Sequence, residues 1–138
     1  MSTAEHDLTR LLTGMRPELR PGRYVFTHAD RVPEGVQPVV TVAEDEALTI
    51  VCRQAEADAA GLAYDYQAAW ITLRVHSALE AVGLTAAVSA VLADADLSCN
   101  VVAGFHHDHL FVPHTDGPRA VELLRSLAAR AADGVEHH

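Results

Sequence analysis

The 138-residue chain contains no lysine: its ten basic residues are all arginine, set against nineteen acidic ones, for a formal net charge of −9. The arginines are scattered and form no stripe. Binding to a phosphate backbone needs clustered cations, so nucleic-acid partners are excluded. Aromatic residues make up only 5 % of the chain, so a core must come from Ala, Val and Leu within the 49 % hydrophobic content. No apolar run approaches the roughly 20 residues a membrane-spanning helix needs. The opening MSTAEHDLTR lacks a signal-peptide pattern. Cysteine is nearly absent. Cys52 and Cys99 are too few for a disulfide framework and match no metal spacing, so they read as buried thiols in a reducing cytoplasm.

What is present alternates between helix and strand signals. Leu8, Leu11, Leu12 and Met15 share one helical face, and Gly14 and Pro17 end that helix. A strand is expected at Arg23–His28, then a turn-rich loop with Pro33, Gly35 and Pro38. Two β-branched runs, Val39–Ala43 and Ala47–Cys52, flank the acidic turn Glu44-Asp45-Glu46 as a hairpin. A short helix at Gln54–Ala60 ends at Gly61.

The second half starts with the alternating strand Trp70–Val75. Ser77 and Glu80 have capping-box spacing, opening a helix to about Ala93 with Leu79, Val82, Ala86 and Ala90 on its core face. A strand from Leu97 to Phe105, a turn at His106-His107-Asp108 and a strand from His109 to Val112 follow. A last helix carries Val121, Leu124, Leu127 or Ala128, and Ala131 toward the core. Strands on either side of helices, with one sheet face covered, predict an α+β two-layer sandwich. The closing residues 135–138 read as a tag remnant, so His137 and His138 are set aside.

The segment VHSALEAVGLTAAVSAVLADADLSCNVVAGFHHDHLFV resembles an ACT domain, the βαββαβ ligand-sensing module of amino-acid metabolism. With LLTGMRPELRPGRYVF and EDEALTIVCRQAEADAAGL, nearly the whole chain is similar to a small bacterial family of stand-alone proteins with two ACT-like units in tandem. The resemblance implies a ferredoxin-like fold, an N-terminal unit over 1–63 in degenerate or permuted form, and a C-terminal ACT domain over 64–134. No fourth strand is evident after the last helix, so either the first half completes that sheet or the unit is permuted.

The resemblance also implies an effector site. In ACT domains the loop from the first strand into the first helix lines the effector, which here means His76 to Gly83. Gly83-Leu84 resembles the family's glycine pair, although Val82 stands where proline is usual. Asn100 resembles an asparagine that faces the effector across an interface. The expected ligand-binding set is Ser77, Ala78, Leu79, Glu80, Ala81 and Val82 on one wall, and Asn100, Val101, Val102, Ala103 and Gly104 on the other. On the residues alone, Ser77 and Glu80 serve either as a helix cap or as the frame of a carboxylate site at exposed N–H groups. Asn100 is unfavourable in a strand, so it meets an edge or turn hydrogen bond, a ligand or another subunit.

Other chemistry has less support. His106, His107, His109 and His114, with Asp108, suggest a metal site, but strand parity separates His106 from His107 and His109. A solvated hairpin tip is the expected reading, with no metal and no cofactor. No nucleophile elbow, phosphate loop or dinucleotide fingerprint occurs. The adjacent His76 and Ser77 cannot both address one substrate atom, so no enzyme is expected. Tyr64, Tyr66 and Trp70 are read as packing at the junction of the halves. The expectation is a cytoplasmic, non-catalytic protein that binds a small-molecule effector, an amino acid foremost, and acts as a homodimer. The alternatives are an assembly module without ligand and a metal-binding protein using the 106–109 turn.

Overall fold

The computed structural model describes residues 3–75 and 83–136. In chain order the elements are α1 (Thr3–Gly14), β1 (Pro17–Leu19), β2 (Tyr24–Ala29), β3 (Val40–Ala43), β4 (Leu48–Arg53), α2 (Gln54–Ala59), β5 (Gln67–Leu73), α3 (Leu84–Asp94), β6 (Asn100–Ala103), β7 (Asp108–Pro113) and α4 (Gly117–Glu136). One turn of 3-10 helix, His114–Asp116, joins β7 to α4.

All strands belong to one sheet in the order β3-β4-β2-β5-β7-β6, and β1 is added against β5. Every pairing is antiparallel. One edge of β5 carries β7 along its whole length, from Ala68↔Pro113 to Leu73↔Asp108. Its other edge is divided. Val25 and Tyr24 of β2 meet Gln67 and Ala68, while Leu19, Glu18 and Pro17 of β1 meet Ile71, Thr72 and Leu73. Strand β5 therefore closes the sheet of the first half and begins that of the second.

This geometry supplies the fourth strand that does not follow the last helix. β1 lies antiparallel to β5, where the closing strand of a βαββαβ unit belongs, and α1 packs chiefly on α4. The N-terminal segment thus completes the sheet of the C-terminal half. Pro17, whose sequence signal is that of a helix terminator, opens β1. A three-residue strand is too short to show alternation, so its pairing with distant residues is what makes it a strand.

Helices cover one face. There Ala69, Ile71, Leu73, Leu110 and Val112 meet Leu84, Val88, Leu92, Ala120, Val121 and Leu124 from α3 and α4, with Leu12 and Met15 from the N-terminal segment. Fully burying such a side chain contributes about 1.5–3 kcal/mol before entropy is counted. In the first half the cover is thin. Val25, Ile50 and Cys52 lie under Ala57 of the six-residue α2 and under Val36 from the loop between β2 and β3.

One helix phase departs from expectation. Leu84, Val88 and Leu92 form the buried stripe of α3, while Ala86 and Ala90 are exposed. The larger side chains recover more apolar area, so they set the rotation. The capping box at Ser77 and Glu80, with Leu79 and Val82, lies outside the described residues. The described helix begins after Gly83, whose φ of 102° is open to glycine and strained for other residues.

Candidate functional site

Among the described residues, the opposite face of the sheet has no helix on it. Along β5 the side chains of Ala68, Trp70 and Thr72 turn this way. They are joined by Tyr24 and Phe26 of β2, Val51 of β4, Phe111 of β7 and Val102 of β6. Of the one Trp, three Tyr and three Phe, all but Tyr64 and Phe105 lie here. Trp70 stacks on Phe111 at an 18° interplanar angle, and Tyr24 meets Trp70 edge-on. Such pairs contribute about 0.5–1.5 kcal/mol beyond area burial. In the junction residues Tyr66 and Trp70 this face uses its aromatics for packing.

A polar network crosses the same face at β1, β5 and β7. Arg20 lies over the Trp70 ring, 4.6 Å from its centre, and its Nε donates to Thr72 Oγ1 at 3.1 Å. Trp70 Nε1 donates to His109 Nδ1 at 3.1 Å, and Thr72 Oγ1 lies 3.2 Å from the same nitrogen. An indole N–H only donates, so Nδ1 is an acceptor and the proton of neutral His109 sits on Nε2. The Thr72 hydroxyl then donates to Nδ1 while accepting from Arg20. Burial pushes the His109 pKa below 6.5, and Arg20, His107 and Arg74 push it the same way against Asp108. Beside this network Arg74 Nε donates to Glu18 Oε2 at 2.6 Å and holds that carboxyl below its ordinary range.

The two expected walls are distributed along this sheet. Residues 76–82, and with them Ser77 to Val82, lie outside the described residues. Residues 100–104 form β6 and its exit. Across the sheet, Asn100 is level with Phe111 and Trp70, whereas Ala103 is level with Asp108 and Leu73. β6 runs parallel to β5, so Gly104 lies at the end where β5 leaves for residue 76, and Asn100 lies about 13 Å from it along the strand. Asn100 and Val102 share the helix-free face, while Val101 packs against the helix-side core. β6 is the outermost strand of its side, and Asn100 and Ala103 are exposed.

Beside Asn100 is a group that the strand pattern alone does not single out. Among the described residues, Tyr66 Oη is enclosed and has no partner in full hydrogen-bond geometry, although Ser98 and Asn100 lie close enough to act on it as poorly aligned partners and offset part of its burial. The net effect of its surroundings, burial foremost, is to raise its pKa. Nearby Cys99 is pushed up to about 11 by burial, so its thiol stays protonated at neutral pH. Cys52 is buried and raised likewise.

The histidine turn does not converge. His107 Nδ1 approaches Val75 O at 3.5 Å, His109 Nδ1 faces Trp70 and Thr72, and His106 lies edge-on to exposed Phe105. Gly104 N donates to His107 O at 2.9 Å and closes the turn. Among the described residues, no three His, Cys, Asp or Glu side chains are grouped to hold a metal.

Comparison with known proteins resolves the architecture. One ACT-domain profile matches residues 3–69 and a second matches residues 65–126. The chain belongs to the ACT-domain family. It carries two ACT domains in tandem with the ferredoxin-like α+β fold, and the two matches overlap where β5 begins. ACT domains are typically ligand-binding regulatory modules. A Vibrio cholerae protein of unknown function, described as a possible transport protein, is 40% identical over 91% of this chain and 99% of its own, with a TM-score of 0.81. An Agrobacterium tumefaciens protein is 20% identical over 83% of this chain and 89% of its own, with a TM-score of 0.69. The regulatory subunit of aspartate kinase from Thermus thermophilus shares the fold at 7% identity over 80% of this chain and 95% of its own, with a TM-score of 0.61. No curated protein matches the chain. Among the described residues, no helix of this ACT-domain protein is long and apolar enough to cross a membrane.

Proposed function

We propose that this tandem ACT protein is a non-catalytic regulator that binds a small metabolite, an amino acid foremost, and changes its association or a partner enzyme's state in response. The observation that carries the proposal is the enclosed Tyr66 hydroxyl beside Asn100 at the open edge of β6, which among the described residues has no well-aligned hydrogen-bond partner. A buried polar group without a partner calls for one, and a ligand carboxylate accepting from Tyr66 Oη would supply it.

A homodimer reconciles the separated walls. In a two-fold, antiparallel pairing of β6 with its copy, Asn100 of one protomer meets the Gly104 end of the other. That is the end from which β5 leaves for residues 76–82. Asn100, Val102 and Tyr66 would then face Ser77, Ala78, Leu79, Glu80, Ala81 and Val82 of the second copy, with backbone N–H groups of that segment as carboxylate donors. This reading places the protein in the cytoplasm.

The test is a thermal-shift panel of the proteinogenic amino acids, run with Asn100→Ala in parallel. Ligand at about 100 times its dissociation constant stabilises the fold by about 2.7 kcal/mol, which raises the midpoint by several degrees at this size. Asn100→Ala should abolish that shift. A panel with no response, with dimerisation indifferent to every amino acid, would leave an assembly module as the function.

A further inference from the structure

A second place on the molecule has the chemistry of a ligand site, and it lies away from β6. A cleft of about 650 Å³ runs between β1 and the first turns of α4, lined by Pro17, Glu18, Leu19, Pro118, Val121, Glu122 and Arg125. Small-molecule pockets run from about 300 to 1,000 Å³.

One wall is a strand edge. Arg16 O accepts from Arg74 N at 2.7 Å, and Arg20 N donates to Trp70 O at 2.8 Å. Backbone groups alternate in an antiparallel pair, so those of residues 16, 18 and 20 turn toward β5, and the N–H and C=O of Leu19 turn outward. Among the described residues no strand pairs with that outer edge. The Leu19 side chain is 40% exposed and reaches toward the start of α4, where its Cδ1 comes within 3.2 Å of a methyl built on Gly117.

The other wall carries two opposite charges. Glu122 and Arg125 are three residues apart on one helical face, so their side chains emerge about 5–6 Å from each other. Among the described residues neither takes part in an ion pair. Glu18, by contrast, is engaged by Arg74. Pro118 and Val121 line the same cleft and give it an apolar surface.

We propose that this cleft binds a free L-α-amino acid with an apolar side chain, seated as a one-residue strand opposite Leu19. Leu19 N–H donates to the ligand carboxylate, which Arg125 neutralises. The ligand ammonium donates to Leu19 C=O and faces Glu122. Residues directly opposite in an antiparallel pair point to the same face, so the side chain of an L-residue follows that of Leu19 toward Pro118 and Val121. A D-residue making the same two hydrogen bonds points away from them. The site is independent of the interface site proposed above.

Amide-resolved NMR titration of the full chain with L-leucine tests the proposal. The expected result is saturable shifts centred on Leu19 and Val121, weakened about tenfold or more by Arg125→Ala, the loss of a charge-assisted contact. Asn100→Ala should leave them unchanged. D-Leucine and leucinamide should bind at least several-fold more weakly. Shifts confined to residues 98–104, equal binding of the two enantiomers, or no shift at all would overturn the cleft site. Equal or tighter binding of N-acetyl-L-leucine would also overturn it, in favour of a peptide C-terminus. A cleft left silent by leucine does not touch the interface reading, which Asn100→Ala and the amino-acid panel decide separately.

Discussion

The two ACT units cover the same kind of sheet with very different amounts of helix. In the second unit α3 and α4, with α1 borrowed from the N-terminus, lay a continuous apolar layer over β5, β6 and β7. In the first unit a loop stands where α3 stands in the second, and the short α2 supplies only Ala57 as a buried residue. A half with so little cover has a small core of its own, Val25, Val36, Ile50, Cys52 and Ala57, and small cores are marginal. What holds it is β5, buried on both faces and hydrogen-bonded into both units. The shared strand predicts one cooperative body, in which a stability defect in either unit is felt by the other.

The sharpest way to break that view is a pair of core truncations. Leu124 of α4 and Ile50 of β4 are both fully buried. Each replacement by Ala should cost about 2–5 kcal/mol. Because β5 is shared, urea unfolding of both variants should remain a single transition, coincident by Trp70 fluorescence and far-UV circular dichroism. Two separated transitions in Ile50→Ala would mean that the units fold independently.

A smaller effect is expected where α4 meets the shared strand. A methyl added at Gly117 would lie 2.9 Å from Ala69 Cβ and 3.2 Å from Leu19 Cδ1. The start of α4 rests on β5 at a distance that only glycine allows. Gly117→Ala should destabilise by about 1–3 kcal/mol, as overpacking does. A denaturation midpoint equal to that of the unmodified protein would show that the helix slides without cost.

Much of this architecture is written in local patterns, and the exceptions have physical causes. The hairpin of β3 and β4 follows from β-branched runs around three acidic residues, and α4 follows from Val121, Leu124, Leu127 and Ala131. The rotation of α3 was not legible, because its alanines offer little contrast between faces and neighbours decide which side is buried. β1 was hidden because three residues carry no period. Asn100 was legible as a polar residue in a strand. Its distance from the exit of β5 was not, since that depends on the cross-strand register. Tyr66 reads as packing from the sequence, and only the folded sheet encloses its hydroxyl beside Asn100 with no well-aligned partner among the described residues.

The smallest effect separates the polar side of the helix-free face from its apolar side. Burial disfavours the charged form of His109, Arg20, His107 and Arg74 act in the same direction against Asp108, and Trp70 directs its N–H at Nδ1. Its folded pKa lies below 6.5, so between that value and the ordinary one the unfolded chain binds more protons. Stability therefore rises with pH across this window and is lost as pH falls through it, levelling once both states are protonated. Replacing His109 with Gln removes the titration while keeping an acceptor for the indole. The urea midpoint of the native protein should fall more steeply than that of His109→Gln between about pH 6.5 and pH 5, because only the native protein loses this linkage. Parallel slopes would mean that protonated His109 finds an acceptor within the fold. The network of Arg20, Trp70 and Thr72 would then be a packing feature without electrostatic consequence.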